Sequence, residues 1–433
     1  MSFLFWVLAA GIPLAFYFLA AYYLPFRNTI FLSMPEPTRF FRPPEAYKRQ
    51  SFGAPIKAGF AKRDITPPRF SWLAGYYPPH PGIFVHDRLW VKSLALQDRH
   101  GNGLVIASCD LIGLLPDEID KITHSVNNVD PASIFISATH THSGPDTIGL
   151  WGIPLFSGKN RKYMQFLRQK IAEAIDESVA NLKSGRIRFA EGEFEGYSSG
   201  RDENPPDYGV AVMQVLLSFG KPVTLVNFAV HADVVKSFHI SADFPHYLSE
   251  RLGRLTGGEV MFVPGAVGGV QPSGDNNTDS YFVRTLGENL ADAVYESLKR
   301  PIIPKHSDIS GKTTRLNVPL QNKKFLWAAK LGIISNLADE NRRMDINLVK
   351  LNIGPAEIVT VPGELFPKIW RRTKVKMKGQ PKFIFGLTNG ELGYILLPED
   401  FDSGKHRYHA GMSVGPQFGE AVDKALQNLA TSD

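Results

Sequence analysis

Two histidines close an apolar, β-branched run: Ile134-Phe135-Ile136-Ser137-Ala138-Thr139-His140-Thr141-His142-Ser143-Gly144-Pro145. On a strand, side chains at i and i+2 leave the same face, so both imidazoles would emerge together where a loop opens. Imidazole is the commonest metal-ligating side chain and the usual proton carrier near neutral pH. The plainer alternative is one histidine finishing a strand and one polar loop residue, and the pair alone does not separate the two. Three further apolar runs end in the same manner. Residues 222–230 run into His231, residues 357–361 into Pro362-Gly363-Glu364, and residues 383–387 through Thr388-Asn389-Gly390-Glu391-Leu392-Gly393 into Tyr394. Strand ends are where clefts form in α/β proteins. Two histidines and a carboxylate are a donor set that suits zinc while leaving a position open for water.

The elements that must present these residues read as short strands interleaved with helices. Strands are expected over 89–97 and 104–108, joined by the turn His100-Gly101-Asn102-Gly103, and over 133–138, 209–217, 222–230, 259–263, 348–353, 357–361 and 383–387. Helices are expected from Pro116, over 161–182 where Met164, Leu167, Ile171 and Ile175 recur at helical spacing, and over 244–255. The fold class is therefore α/β, with mixed β-sheets flanked by helices. The turn Pro264-Gly265-Ala266-Val267-Gly268-Gly269-Val270-Gln271-Pro272 lacks the spacing and the Lys-Ser/Thr of a phosphate loop, and its glycines suit close approach of backbone to a bound molecule. The stretch 325–337 reads either as an amphipathic surface helix contacting lipid or as a core-facing helix.

Composition narrows the classes. The 433 residues are 43% hydrophobic and 21% charged with a net charge of +6, an ordinary globular balance. No block of Lys and Arg stands out, so nucleic acid is not an expected partner. Cys109 is the only cysteine, which excludes an intramolecular disulfide and a cysteine-based zinc site.

Residues 1–26 carry no charged side chain and are long enough to cross a bilayer core of roughly 30 Å, so they are expected to form an uncleaved transmembrane anchor. A cleavable signal peptide is the alternative, lacking here a charged leading region and a small-x-small site. Residues 27–55, with five prolines, are an expected extended linker, and residues 56–433 the soluble domain. Arg27, Arg39, Arg42, Lys48 and Arg49 follow the span and by the positive-inside rule favour a cytoplasmic domain. The functional reading below favours a single-pass membrane protein with an extracytoplasmic domain.

From about residue 57 onward the chain resembles the catalytic domain of the neutral/alkaline ceramidase family, zinc-dependent amidases that split ceramide into sphingosine and a fatty acid. The resemblance is carried, in order, by Gly59-Phe60-Ala61-Lys62-Arg63-Asp64-Ile65-Thr66, Gly75-Tyr76, Ser108-Cys109-Asp110-Leu111, Ser137 through Pro145, Asn227-Phe228-Ala229-Val230-His231, Val361-Pro362-Gly363-Glu364 and Asn389 through Tyr394. It implies a Zn2+ ion held by His140, His231, Glu364 and Tyr394. It further implies His142 as a proton-handling neighbour, Arg201 as an active-site arginine, and Tyr408 as a second active-site tyrosine. The family's Gly-Asp-Val-Ser-Pro stands here as Gly268-Gly269-Val270-Gln271-Pro272, so Gln271 and Gly269 become the candidate substrate-binding residues. The chain ends soon after Val414-Gly415-Pro416, and the family's C-terminal immunoglobulin-like domain is expected to be absent. The expected function is that of a membrane-anchored zinc hydrolase cleaving the amide of ceramide or a related N-acyl lipid by attack of a zinc-activated water. The alternatives are a zinc hydrolase of another acylated or ester-linked amphiphile, and a non-catalytic lipid- or glycan-binding relative. Asp110 is a candidate to orient a ligand imidazole, the alternative being a strand-end carboxylate that caps backbone N–H groups; Asp233 and Asp243 carry the same pair of readings.

Overall fold

A computed structural model describes residues 53–68, 70–200, 205–273 and 280–432. The expected anchor, nearly all of the expected linker and Arg201 lie outside the described residues. Among the described residues no helix is long and apolar enough to cross a membrane. The first strand, Ala54–Asp64, begins at the last two residues of the stretch read as linker.

The architecture is four layers, helices against a sheet, a second sheet, and helices again. The first sheet has eight strands in the order Glu259–Pro264, Val223–Phe228, Gly209–Leu217, Lys183–Glu193, Ala54–Asp64, Trp90–Gln97, Gly103–Cys109 and Ile134–Ala138. Its two outermost pairs are parallel and the pairs between them antiparallel. The second sheet orders Ile309–Pro319, Arg343–Ile353, Ala356–Thr360 and Lys382–Phe385, with only the last pair parallel. Both sheets are mixed, as the interleaving of elements implies.

Strand alternation explains why the sheets stack. Leu94, Leu96, Leu104, Ile106 and Phe135 face one side and share a core with Leu351, Ile358, Phe383 and Phe385 of the second sheet. Their neighbours Val91, Ala95, Val105, Ala107, Ile134 and Ile136 face the other side and pack on Leu167, Ile171 and Ile175 of the helix Arg161–Ala180. Side chains alternate across a strand, so a period-two run apolar on both faces can only be buried between two layers. The helices Phe244–Thr256 and Ser280–Ser297 cover the far end of the first sheet, and Pro367–Lys374 with Pro416–Thr431 cover the second.

Two asparagines, buried Asn227 and partly buried Asn389, fasten the sheets together. Asn227 donates to the carbonyls of Val263 (2.9 Å) and Ile384 (2.8 Å) and accepts the Ile384 N–H (3.2 Å). Asn389 accepts the Ile136 N–H at 2.8 Å and donates to the Ile134 carbonyl at 3.0 Å, pinning the segment that leads to Tyr394 against the strand that leads to His140.

The stretch 325–337 is shorter as a helix than either reading of it. Its helix spans only Lys323–Lys330, and Gly332 in the left-handed region (φ 70°) follows. Phe325 and Ile334 are buried, while Trp327 and Leu331 face solvent. The segment is therefore half core and half surface.

Candidate active site

Five strand ends, from both sheets, meet at one place. Just beyond Ile134–Ala138 come His140 and His142, beyond Val223–Phe228 comes His231, and beyond Glu259–Pro264 comes the glycine turn. Ala356–Thr360 leads to Glu364 and Lys382–Phe385 to Tyr394. Glu364 and Tyr394 then pair directly across a short parallel ribbon.

His140, His142 and His231 bring one ring nitrogen each to within 4.8 Å of one another, a cluster that could hold a metal ion. His140 adopts φ 67°, a conformation that costs a non-glycine residue roughly 1–3 kcal/mol and tends to persist at functional positions. Its N–H donates to the Leu111 carbonyl at 2.9 Å, and its Nδ1 meets the Ile112 carbonyl at 2.7 Å. A carbonyl can only accept, so Nδ1 carries a proton and Nε2 is the ring nitrogen turned toward the cluster. That Nε2 lies 3.4 Å from Glu364 Oε2, and His231 Nε2 lies 2.9 Å from the same oxygen. The imidazole of His142 is held by a backbone bond from its own N–H to Ala232 (2.9 Å) and by Gly75, whose φ is 86° and where a Cβ would overlap the His142 ring. Its Nε2 is buried without a hydrogen-bond partner.

The electrostatics follow from burial among these groups. Desolvation, then the neighbouring His140, push His142 down to about 3, so it is a neutral imidazole at physiological pH. Burial alone would raise Glu364, but the charges and hydrogen bonds of His140 and His231 outweigh it and hold the carboxylate well below its usual range. Burial opposes a proton on His231, yet Glu364 overrides it and moves that imidazole upward. A neutral nitrogen lone pair, a second imidazole and an ionised carboxylate facing one point are the forms in which these residues ligate a metal. The His142 Nε2 is buried without a hydrogen-bond partner beside that point, an unmet polar demand that a bound ion and its water would fill, and the N and O donors fit zinc.

Two cavities meet at the cluster. One is a narrow slot of about 50 Å³ with apolar walls that include Ile112, Leu115, Ile148, Phe325 and Leu392, with His140, His142 and Glu364 at its polar end. The other is a polar chamber of about 310 Å³ that includes His142, His231, Asp233, Lys236 and Gln271. Gly75, His142, Tyr394 and Tyr408 border both.

Searches with family models and against curated proteins return no match. Among solved structures, the neutral ceramidase from Pseudomonas aeruginosa superposes with a TM-score of 0.71, covering 87% of this chain and 74% of that one at 18% identity. The fold is that of neutral ceramidase. A second solved structure, a ceramidase complexed with C2, matches equally at TM-score 0.71 and 18% identity, over 87% of this chain and 75% of its own.

Within this neutral-ceramidase fold, His140, His231 and Glu364 sit in mutual contact and Tyr394 stands opposite Glu364 in the ribbon. His142 lies nearer than a mere neighbour, being one of the three clustered imidazoles. Gln271 and Gly269 line the polar chamber, and half-exposed Tyr408 stands 6.1 Å from Tyr394, ring centre to ring centre. Arg201 lies outside the described residues, directly after the Ser198–Gly200 strand that pairs with Gln271. The second reading holds for Asp110: it caps the Trp90 N–H at 2.8 Å, and the imidazole of His140 is oriented by the Ile112 carbonyl instead. Asp243 likewise caps backbone, accepting from Val235 and Phe244. Asp233 lines the chamber beside His231.

Sequence reasoning passed over Glu391. It is buried at the slot, Oε1 accepting the Gly393 N–H at 2.9 Å, and burial together with the charge of Glu364 pushes it up to about 8. The signal was a carboxylate between two glycines of a strand-end turn, which is also what an ordinary solvated turn looks like. His409, 4.6 Å from Tyr394 ring to ring and on the short helix Arg407–Gly411, was also passed over.

Proposed function

We propose that this chain is a metal-dependent amidohydrolase that cleaves the amide of ceramide or a related N-acyl lipid. The observation that carries the reading is the cluster of three imidazoles and Glu364 placed where an apolar slot meets a polar chamber. The apolar lining of the slot suits an acyl chain, the polar chamber suits a headgroup, and the bond between them would then lie at the cluster.

Zinc is the proposed ion, with His140, His231, Glu364 and Tyr394 as its holders. When bound it would polarise an acyl carbonyl and lower the pKa of a water toward about 7. The protein's own groups supply the rest. The Ile112 carbonyl fixes the tautomer and direction of His140. Neutral His142 can accept a proton on Nε2 and deliver it to a leaving amine, which departs only when protonated. Tyr408, on the wall shared by the two cavities, and Arg201 are the proposed donors to the oxygen that gains charge in the transition state. Gln271 offers both a donor and an acceptor to a headgroup. Because a serine occupies this position in the family's motif, Gln271 also supports a second reading, hydrolysis of another acylated or ester-linked amphiphile.

We also propose that residues 1–26 anchor the chain as a single-pass membrane protein with the hydrolase domain outside the cytoplasm, a reading supported by their uncharged run. The function is tested by metal analysis with paired lipid hydrolysis. His140→Ala and His231→Ala should lose bound zinc and ceramide turnover together, and full activity in a verified metal-free preparation would overturn the proposal. Turnover of ester-linked lipids far above ceramide would favour the second reading.

A further inference from the structure

Large apolar side chains stand in solvent on two segments that adjoin the slot. On residues 153–156, Leu155 is 76% and Phe156 71% exposed, and in the helix Lys323–Lys330 and its cap, Trp327 is 59% and Leu331 57% exposed. The two segments touch. The Gly149 α-carbon lies so close to the Ile333 carbonyl that a Cβ there would overlap it, and Lys159 Nζ reaches Ser335 Oγ at 3.3 Å.

The first segment is a fastened loop. Buried Asp146 accepts the N–H groups of Ile148 (3.0 Å), Gly149 (2.6 Å) and Trp151 (2.8 Å), and Gly158 N–H bonds the Gly149 carbonyl (3.1 Å). Its apolar tip is thus displayed by a framework of hydrogen bonds, and Leu155 is displayed at φ 71°, which a side chain of that bulk adopts only at a cost. The inner faces of the same two segments, through Ile148, Leu150, Phe325 and Ile334, line the slot. One surface is therefore apolar inward toward the cluster and apolar outward toward solvent.

Charge says what covers it. Residues 147–162 and 322–337 contain Lys159, Arg161, Lys162, Lys323, Lys324 and Lys330 and no Asp or Glu. Apolar tips carried on segments whose only charges are cationic fit the headgroup region of an anionic bilayer, where apolar side chains enter the acyl boundary and each nearby Lys or Arg adds to the attraction. We propose that the 153–156 tip and the Lys323–Lys330 helix form a membrane-docking edge that seats the outer wall of the slot on an anionic lipid surface. The edge would let an acyl chain pass from bilayer to slot without crossing water. It rests on the lipid-substrate reading for that route, but docking itself is read without any hydrolysis.

The test uses full-length protein and vesicles of phosphatidylcholine with and without a minority of phosphatidylglycerol. Cys109 is the only cysteine and is fully buried, so a single cysteine placed by Leu155→Cys or Trp327→Cys takes an environment-sensitive fluorophore selectively. His100→Cys is the control: it lies on the exposed turn before Gly103–Cys109, at the opposite end of strands that run parallel toward His140. Labels at 155 and 327 should shift to the blue and become protected from an aqueous quencher on vesicle-bound protein, while the label at 100 stays in water. The shift should need at least about tenfold less lipid when phosphatidylglycerol is present, and Lys324→Glu with Lys330→Glu should remove that preference. Labels at 155 and 327 that stay aqueous on vesicle-bound protein would overturn the proposal, since an N-terminal anchor alone would produce that result. Labels already shielded before vesicles are added would overturn it too, the edge then being covered by a second copy or another part of the chain. A protein that docks without hydrolysing any lipid would fail the functional reading and keep this one.

Discussion

Asp243 is completely buried beneath the wall of the polar chamber, and its titration should be visible in the stability of the whole domain. Oδ2 accepts the Val235 N–H at 2.8 Å and Oδ1 the Phe244 N–H at 2.7 Å, while the Val235 carbonyl accepts the Tyr76 hydroxyl at 2.7 Å and Ser143 Oγ at 2.6 Å. Burial, with the charges of Asp233 and Asp87, pushes the carboxyl from 3.8 up to about 7 against the pull of the two N–H groups. Below about pH 4 the proton is bound in both folded and unfolded chains, and the group is neutral in the balance. Between there and about pH 7 the unfolded chain releases the proton and the folded one keeps it, so stability falls by about 1.4 kcal/mol per pH unit. The full penalty, about 4 kcal/mol, is in force above about pH 7. Asp243→Asn abolishes this titration. Asparagine keeps one acceptor, tolerates the positive φ and caps a helix well, but it forfeits the Val235 bond, a loss of about 1–3 kcal/mol at every pH. The variant should therefore improve relative to wild type by about 3 kcal/mol between about pH 5 and pH 8. Urea denaturation of both proteins at both pH values measures this, and titrations common to the two cancel in the difference. A stability difference that does not change with pH would refute the argument.

Two further outcomes follow from contacts described above. Asn227→Ala leaves two carbonyls and one N–H buried without partners between the sheets, so unfolding should be easier by about 3–5 kcal/mol; a loss below about 1 kcal/mol in chemical denaturation would contradict its fastening role. Gly75→Ala places a methyl group in the ring of His142 and forces alanine to a positive φ, so metal affinity in an equilibrium titration should drop about tenfold or more while stability falls by only about 1–2 kcal/mol; unchanged affinity would remove His142 from the cluster's working geometry.

The strand ends that carry the cluster were readable because each follows a run of β-branched residues buried on both faces, and such runs resemble little else. The strand Lys183–Glu193 was not, although it is central in its sheet. Its Arg188 is buried, and only the structure shows the Gln214 side chain that satisfies the guanidinium from the next strand. Ile309–Pro319 was unreadable for the opposite reason: as an edge strand it exposes Gly311, Lys312, Thr313 and Arg315, so periodicity fails on a real strand. Within the site, His140 and His231 were legible from type and position. The burial of Glu391 was not, since it depends on Gly113, a distant glycine against which the Glu391 side chain packs so closely that a Cβ would overlap it. The amphipathic reading of the segment around Phe325 anticipated its two faces, but not that the inner one would line the slot.

The proposed donor groups are divided between the two sheets: His140 and His231 follow strands of the eight-stranded one, Glu364 and Tyr394 strands of the four-stranded one. A chain with one sheet formed and the other undocked holds half a coordination shell. On the proposed ligand set, ion uptake would therefore gauge sheet-on-sheet closure. Lesions along that seam, at Asn227 or Asn389, would register as slow or incomplete loading before any strand or helix is lost, and an ion once seated would act as a clasp that opposes the sheets' separation.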